Sequence, residues 1–313
     1  MMNILLFGAN GQVGWELHRS LSPLGTVTAL GHQDADLAQP VRQLIERHRP
    51  DVLVNAAAYT AVDRAESEPD LAMRINAGAV GEMAQVAAEL GALLIHYSTD
   101  YVFDGKKPSA QGAYGESDAT GPLSVYGRSK LAGEEAIRAV TECEHLIFRT
   151  SWVYAVRGRN FARTILERAR TMDRLQVVAD TFGVPTCAEL IADVTALVLH
   201  ALRGVPTSPG ARRADASQLG TYHLVPSGTT TWHGYATYLI EQARAAGIPI
   251  RVSAQDIAAV AASTFPAPAQ RPLNSRLDNR RLSERFGLTL PEWRDPIPRF
   301  VDALARESAE IRR

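Results

Sequence analysis

The sequence predicts a doubly wound α/β fold, a parallel sheet flanked by helices (Rossmann-type), joined to a second, smaller α+β part. Two patterns carry that expectation. Short aliphatic runs alternate with helical stretches, and a glycine-rich loop follows the first run directly. Strands that are apolar on both faces need helices above and below, which is how parallel sheets are covered.

In chain order, the strand-like runs are Asn3–Phe7, Thr26–Leu30, Asp51–Asn55, Leu93–Tyr97 and Leu146–Arg149. Helical patterns lie between them at Val13–Leu21, Pro40–His48, Ala72–Leu90 and Ser129–Val140. A later helix, Ala188–Leu202, and a strand-like run, Thr221–Val225, are expected to return to the sheet. Residues 1–155, with 188–225 returning, then form a dinucleotide-binding domain, and 156–187 with 226–313 form a substrate-binding domain. Ala262–Asn274 reads ASTFPAPAQRPLN, and its prolines rule out regular helix. Val205–Gln218 reads as a surface loop. Placed over the carboxyl edge of the sheet, the second part would close on the side where open α/β folds bind ligands.

The chain has 313 residues, 46% hydrophobic and 21% charged, with a net charge of −1. That length favours one large domain plus a smaller one. Near-neutral charge provides no field for nucleic acid or an anionic membrane, so an acidic substrate would meet a few local arginines. No run approaches the ~20 apolar residues of a membrane helix, and MMNILLFGANGQVGW lacks a basic leader segment. The two cysteines, Cys143 and Cys187, have no CxxC spacing. A reducing, cytoplasmic setting is expected.

Gly8-Ala9-Asn10-Gly11-Gln12-Val13-Gly14 ends the first strand and opens the first helix. Glycines here allow a tight turn, close approach of backbone to a pyrophosphate, and close packing of helix on strand. The helix start supplies free N–H groups and the positive end of the dipole. NADPH or NADH is therefore the expected cofactor. Ala56-Ala57-Ala58-Tyr59-Thr60, ending the third strand, leaves room for a ligand at the sheet edge, and Asp36-Leu37 can flank an adenine. Tyr126-Gly127-Arg128-Ser129-Lys130 is YxxxK, which puts phenol and ammonium on one helical face. Ketone reduction needs a proton donor at the developing alkoxide. Tyr126 can donate, Lys130 can stabilise the tyrosinate, and Thr99, ending the fourth strand, can face the same oxygen. The eight histidines show no zinc-ligand spacing.

These segments together (GxxGQxG, STDYVFDG, YGRSK and FRTSWVYA) resemble the extended short-chain dehydrogenase/reductase superfamily. Within it they resemble the dTDP-4-dehydrorhamnose reductase family. Ala61-Val62-Asp63-Arg64-Ala65-Glu66, Tyr114-x-Glu116-x-Asp118, GTTTWH at 228–233 and RPxNSRL at 271–277 extend the likeness over nearly the whole chain. The resemblance implies NAD(P)H-dependent reduction of the C4 keto group of dTDP-4-dehydro-L-rhamnose. It implies that Gly11, Gln12 and Val13 carry the pyrophosphate, with Asp36, Leu37, Ala58, Tyr59, Thr60 and Tyr97 lining the cleft. It implies that Thr99, Asp100 and Trp152 contact the sugar and that Tyr126 and Lys130 are the catalytic pair. Arg271 and Arg276 are candidates for the substrate diphosphate, since a guanidinium suits that charge.

Family members commonly have an acid at the end of the second strand; this chain has Gly31-His32. His32 is a potential partner for a 2′-phosphate, with Arg42 further along. The segment between Thr99 and Tyr126 is somewhat long. The resemblance also implies a homodimer and Mg²⁺ at its contact, held by Glu16 and Glu189, though the third acid falls near Arg294-Asp295. Two rivals stand beside the reductase: an epimerase or dehydratase on the same fold, and a non-catalytic regulatory subunit.

Overall fold

Residues 1–108, 112–203 and 216–310 are described by the structure, a computed structural model. Strands β1 (Met2–Phe7), β2 (Gly25–Leu30), β3 (Val52–Asn55), β4 (Leu93–Thr99), β5 (His145–Thr150) and β6 (Gly220–His223) form one six-stranded sheet, ordered β6-β5-β4-β3-β1-β2. Every pairing is parallel. The order reverses between β1 and β3, so their carboxyl ends diverge into a crevice.

Helices α1 (Gln12–Leu21), α2 (Arg42–His48), α3 (Ala79–Leu90), α4 (Val125–Arg138) and α6 (Ala188–Arg203) cover the sheet; α5 (Phe161–Thr171), α7 (Trp232–Ala245) and α8 (Ile297–Glu310) lie in the second part. Alternation along β1 sorts the faces. Ile4 and Leu6 pack with Leu17 of α1 and Ile191 and Val198 of α6, whereas Leu5 and Phe7 pack with Ile45 of α2 and Val80 and Met83 of α3. A third core, beyond the sheet's carboxyl edge, gathers Tyr154, Ile165, Leu239, Trp293 and Phe300. It is laced by small pairings: Leu175–Val178 with Ile257–Val260, Phe182–Gly183 with Thr230–Thr231, and Val153–Tyr154 with Thr186–Cys187.

The structure departs from the sequence expectation in three places. β4 runs on to Thr99, and α4 starts at Val125 rather than Ser129, which puts Tyr126 in its first turn. The helix expected over Ala72–Leu90 is broken into Pro69–Met73, a π-helical turn at Arg74–Gly78, and α3. Asn76, described below, lies within the π-helical turn. Of the loop expected at Val205–Gln218, residues 205–215 lie outside the described residues, and Ala216–Gln218 forms a short 3-10 turn.

Candidate active site

The glycine loop fills the crevice between β1 and β3. Gly8 has φ +83°, and a Cβ there would sit 2.6 Å from the Ala57 nitrogen, so only glycine lets the turn lie against the end of β3. A Cβ on Gly14 would meet the Gly8 carbonyl at 2.0 Å; this residue stands behind the loop and seats α1 on it. Gly11 precedes α1 and no side chain caps that helix, leaving its first-turn N–H groups for an anion.

A cleft of about 650 Å³ opens in front of them. Gly8, Gly11, Gln12 and Val13 form its floor, and His32, Asp36 and Leu37 form the β2 side. Ala58, Tyr59 and Thr60 line the β3 side, and Tyr97, Tyr126 and Lys130 close the inner end. The cradle fits a dinucleotide. At the β2 end, the Gly31 nitrogen donates to Asp34 Oδ2 at 2.9 Å, and His32 Nδ1 lies 3.9 Å from Asp36. Arg42 does not serve this end: its guanidinium donates to Glu89 at 2.6 Å and Glu46 at 3.1 Å.

Local sequence positions the reaction centre. The Ser124 hydroxyl accepts from the Gly127 nitrogen at 3.1 Å and starts α4. Gly127 lets that first turn press on the 100–102 segment, since a Cβ there would sit 2.3 Å from the Tyr101 carbonyl. Tyr126 is thereby brought near the Thr99 hydroxyl at the end of β4. Thr99 donates to Asp100 Oδ1 at 2.9 Å and accepts from the Tyr101 nitrogen at 3.2 Å. Burial pushes the Tyr126 phenol up to about 12, opposed by the nearby Thr99 hydroxyl and reinforced by the Asp100 charge. Burial likewise raises Asp100 to about 6, against the pull of the Ser275 and Thr99 hydroxyls. Lys130 is driven down to about 8 by burial, with Glu134 opposing. Its Nζ donates to the Tyr97 carbonyl at 2.6 Å and lies 3.2 Å from His96 Nε2.

Asn76 ties these pieces together. Its Oδ1 accepts from the Tyr59 nitrogen at 2.8 Å; its Nδ2 donates to the Tyr59 carbonyl at 3.0 Å and to Ser129 Oγ at 2.9 Å. One side chain thus fixes the cleft wall and the YxxxK helix. Asn76 makes these bonds from within the π-helical turn, and such turns recur at functional sites. The sequence carries no local signal for it.

A second cavity of about 800 Å³ lies beyond, lined by Tyr101, Trp152, Trp232, Arg168 and Arg271 among others. The Tyr101 and Tyr126 rings, edge to face with centroids 5.8 Å apart, stand where the two cavities adjoin. Trp152 has φ +44° and stacks on Trp232 at 3.6 Å and 14°. Arg271 donates to Asp63 at 2.8 Å, and the Ala269 nitrogen donates to the same carboxylate at 3.3 Å. The proline-rich loop is thereby strapped to the cofactor side. Arg276 stands apart from this cavity's lining: its Nε donates to Asn274 Oδ1 at 3.0 Å and its guanidinium lies 5.9 Å from the Phe182 ring centre. Sequence reading missed Trp232, Arg168 and Asn76.

Glu16 and Glu189 do meet, across a pocket of only about 10 Å³. Each is already partnered, Glu16 by Arg19 at 3.2 Å and Glu189 by Arg299 at 3.3 Å. Among the described residues, no three metal-ligating side chains cluster. Two neutralised carboxylates do not fit a metal centre within one chain, and no step is assigned to Mg²⁺.

A dinucleotide cleft and a larger cavity, with the tyrosine and the buried lysine of YxxxK at the inner end of the cleft, are the plan of a short-chain dehydrogenase/reductase. The comparisons with known proteins agree. The family described as RmlD substrate binding domain matches residues 2–306. The dTDP-4-dehydrorhamnose reductase of Escherichia coli K12 is 48% identical over 98% of this chain and 100% of its own length. The crystal structure of dTDP-4-dehydrorhamnose reductase from Bacillus anthracis in complex with NADP is 30% identical, with a TM-score of 0.83 over 96% of this chain and 98% of that one. The Clostridium acetobutylicum dTDP-4-dehydrorhamnose reductase structure gives 33% identity and a TM-score of 0.84 over 97% of this chain and 100% of that one. The chain belongs to the dTDP-4-dehydrorhamnose reductase family.

Proposed function

We propose that this protein reduces the C4 keto group of dTDP-4-dehydro-L-rhamnose to give dTDP-L-rhamnose, with NADPH or NADH as reductant. The observation that carries the reading is Tyr126 at the inner end of the cofactor cleft, in edge-to-face contact with Tyr101 of the second cavity and near the Thr99 hydroxyl. The nicotinamide cofactor, when bound, supplies the hydride. Everything else falls to side chains of this chain. Tyr126 donates the proton to the oxygen of the reduced carbonyl, and Thr99 orients that oxygen. With its phenol held near 12, Tyr126 keeps its proton at neutral pH until an alkoxide draws it off. Lys130, buried below the same cleft, offsets the charge left on the phenolate.

Residues 156–187 and 226–313 are proposed as the substrate-binding part. Trp152, which lines the second cavity, is proposed to contact the sugar. Arg271 is proposed for the diphosphate; its present partner Asp63 is a carboxylate that a phosphate can replace. Supply of the dTDP-keto sugar with NADPH, followed by nicotinamide absorbance, tests the reading. Stoichiometric oxidation with a dTDP-L-rhamnose product is expected. Product formed without net oxidation would assign the site to epimerisation or dehydration instead.

A further inference from the structure

Below the cofactor cleft, three buried polar side chains form a line from the sheet to the catalytic helix. Asn55 and His96 are register partners on β3 and β4, both fully buried, and Asn55 Nδ2 lies 3.1 Å from His96 Nδ1. His96 Nε2 in turn lies 3.2 Å from Lys130 Nζ. The direction of the first bond is fixed from outside, because the Ala57 nitrogen donates to Asn55 Oδ1 at 3.1 Å. Turning the amide over would set two donors against each other. Asn55 Nδ2 therefore donates, His96 Nδ1 accepts, and a neutral imidazole must carry its proton on Nε2. That N–H points at Lys130.

An ammonium has three donors and no acceptor, so Nε2–H against a charged Lys130 is a buried donor–donor contact. Against a neutral amine the same contact is a hydrogen bond to the nitrogen lone pair. We propose that His96 is a positioning residue that, locked in its Nε2–H tautomer by Asn55, favours the neutral amine of Lys130 and so sets the pH range in which the ammonium is available to the reaction. Burial keeps the ring itself neutral, holding His96 well below the ordinary histidine range. The other groups around Lys130 are accounted for. Tyr126 and Glu134 stand one turn to either side on α4, Glu134 is paired with Arg149 of β5 at 2.7 Å, Asp100 follows β4, and β3 contributes the uncharged Asn55. Glu134 favours the ammonium, and on this proposal His96 opposes it.

The inference rests on the Tyr126–Lys130 reading of the site, yet its first test needs no turnover. In the intact protein labelled with ¹⁵N-histidine, long-range proton–nitrogen correlation should show His96 with a protonated Nε2 and a bare Nδ1 from pH 6 to 9, its signals assigned by their loss in His96→Gln. A protonated Nδ1, or an imidazolium, overturns the proposal. The second test is the pH profile of kcat/KM. In His96→Gln the amide can turn its oxygen to the ammonium, and in His96→Leu the opposing N–H is simply gone. Both should move the limb that belongs to Lys130 upward by about one pH unit, while a residue that merely packs would lower the plateau and leave the limb in place. An unmoved or lowered limb refutes the proposal. Absence of turnover in the unmodified enzyme would count against the catalytic reading alone.

Discussion

Gly183 lies beneath the indole of Trp152, so close that a Cβ there would sit 2.6 Å from Cε2 and from Cζ2 of the ring. The missing side chain is what allows Trp152, at φ +44°, to lie flat between Gly183 and Trp232. Gly183→Ala should therefore tilt the indole and raise KM for the sugar nucleotide about tenfold, leaving the NADPH Kd unchanged. Equal effects on both ligands would mean that Trp152 serves the whole fold rather than the sugar.

Tyr126→Phe should fold as the parent does and lose roughly 10²–10⁴-fold in kcat, the usual worth of a general acid. Thr99→Val should lose less, since it removes one hydrogen bond and keeps the proton source. Thermal unfolding alongside steady-state rates checks both. Near-parental turnover in Tyr126→Phe would remove the proton donor from the scheme, and loss of cofactor binding in Thr99→Val would reassign that residue to the cleft.

Cofactor choice turns on the end of β2. An acid there binds the ribose 2′-hydroxyl and repels a 2′-phosphate. Gly31 does neither, while His32 is exposed at the rim and attracts a phosphate when protonated. Arg42 adds nothing, being engaged by Glu89 and Glu46. Use of both cofactors is expected, with NADPH modestly preferred. Gly31→Asp should shift preference toward NADH, with the Asn10 side chain, 2.3 Å from the new Cβ, swinging aside. Comparison of kcat/KM for both cofactors in both proteins decides it; strong NADH preference in the parent would contradict the reading.

Stability should fall as the solution is acidified from pH 7 to 5. Burial holds His96, His145 and His223 below their ordinary range, His223 at about 3. The unfolded chain protonates them near 6.5 while the fold keeps them neutral, so the unfolded state binds more protons as pH drops. Their contribution is fully present above about pH 6.5 and is lost toward the depressed folded values, at up to about 1.4 kcal/mol per pH unit for each ring. Asp100, raised to about 6, takes up a proton in the fold and offsets one ring below that pH. Urea midpoints across the range measure the net slope, and a midpoint that is flat or rises on acidification would be inconsistent with these buried neutral rings.

Asn76→Ala removes three hydrogen bonds at once. At roughly 0.5–1.5 kcal/mol each, the loss in unfolding free energy should be about 2–4 kcal/mol. Because Tyr59 and Ser129 are both released, NADPH affinity should fall in parallel. A variant as stable as the parent would show that helix packing alone holds the π-helical turn.

What the sequence made legible was local. The glycine loop, the YxxxK spacing and the alternating runs each declare themselves within a few residues, and the parallel sheet and cofactor cleft follow from them. What stayed hidden depends on partners far along the chain. Trp232 matters because Trp152 lies on it, and Asn76 because Ser129 and Tyr59 converge there. The two candidate arginines show the same limit. Residue type nominated Arg271 and Arg276 equally, but only the path of the loop decides that Arg271 faces the cavity while Arg276 turns to Asn274 and Phe182.

The π-helical turn at Arg74–Gly78 also has a meaning in chain length. Hydrogen bonds that skip one residue further than in an α-helix absorb one residue more for the same set of faces. The stretch from Pro69 to Leu90 therefore takes up a residue more than an unbroken α-helix presenting the same faces would. A chain one residue shorter here would keep its apolar pattern and its helix, yet the amide that wedges the cofactor wall against the catalytic helix would point elsewhere. In this segment the count of residues, as much as their kind, encodes the site.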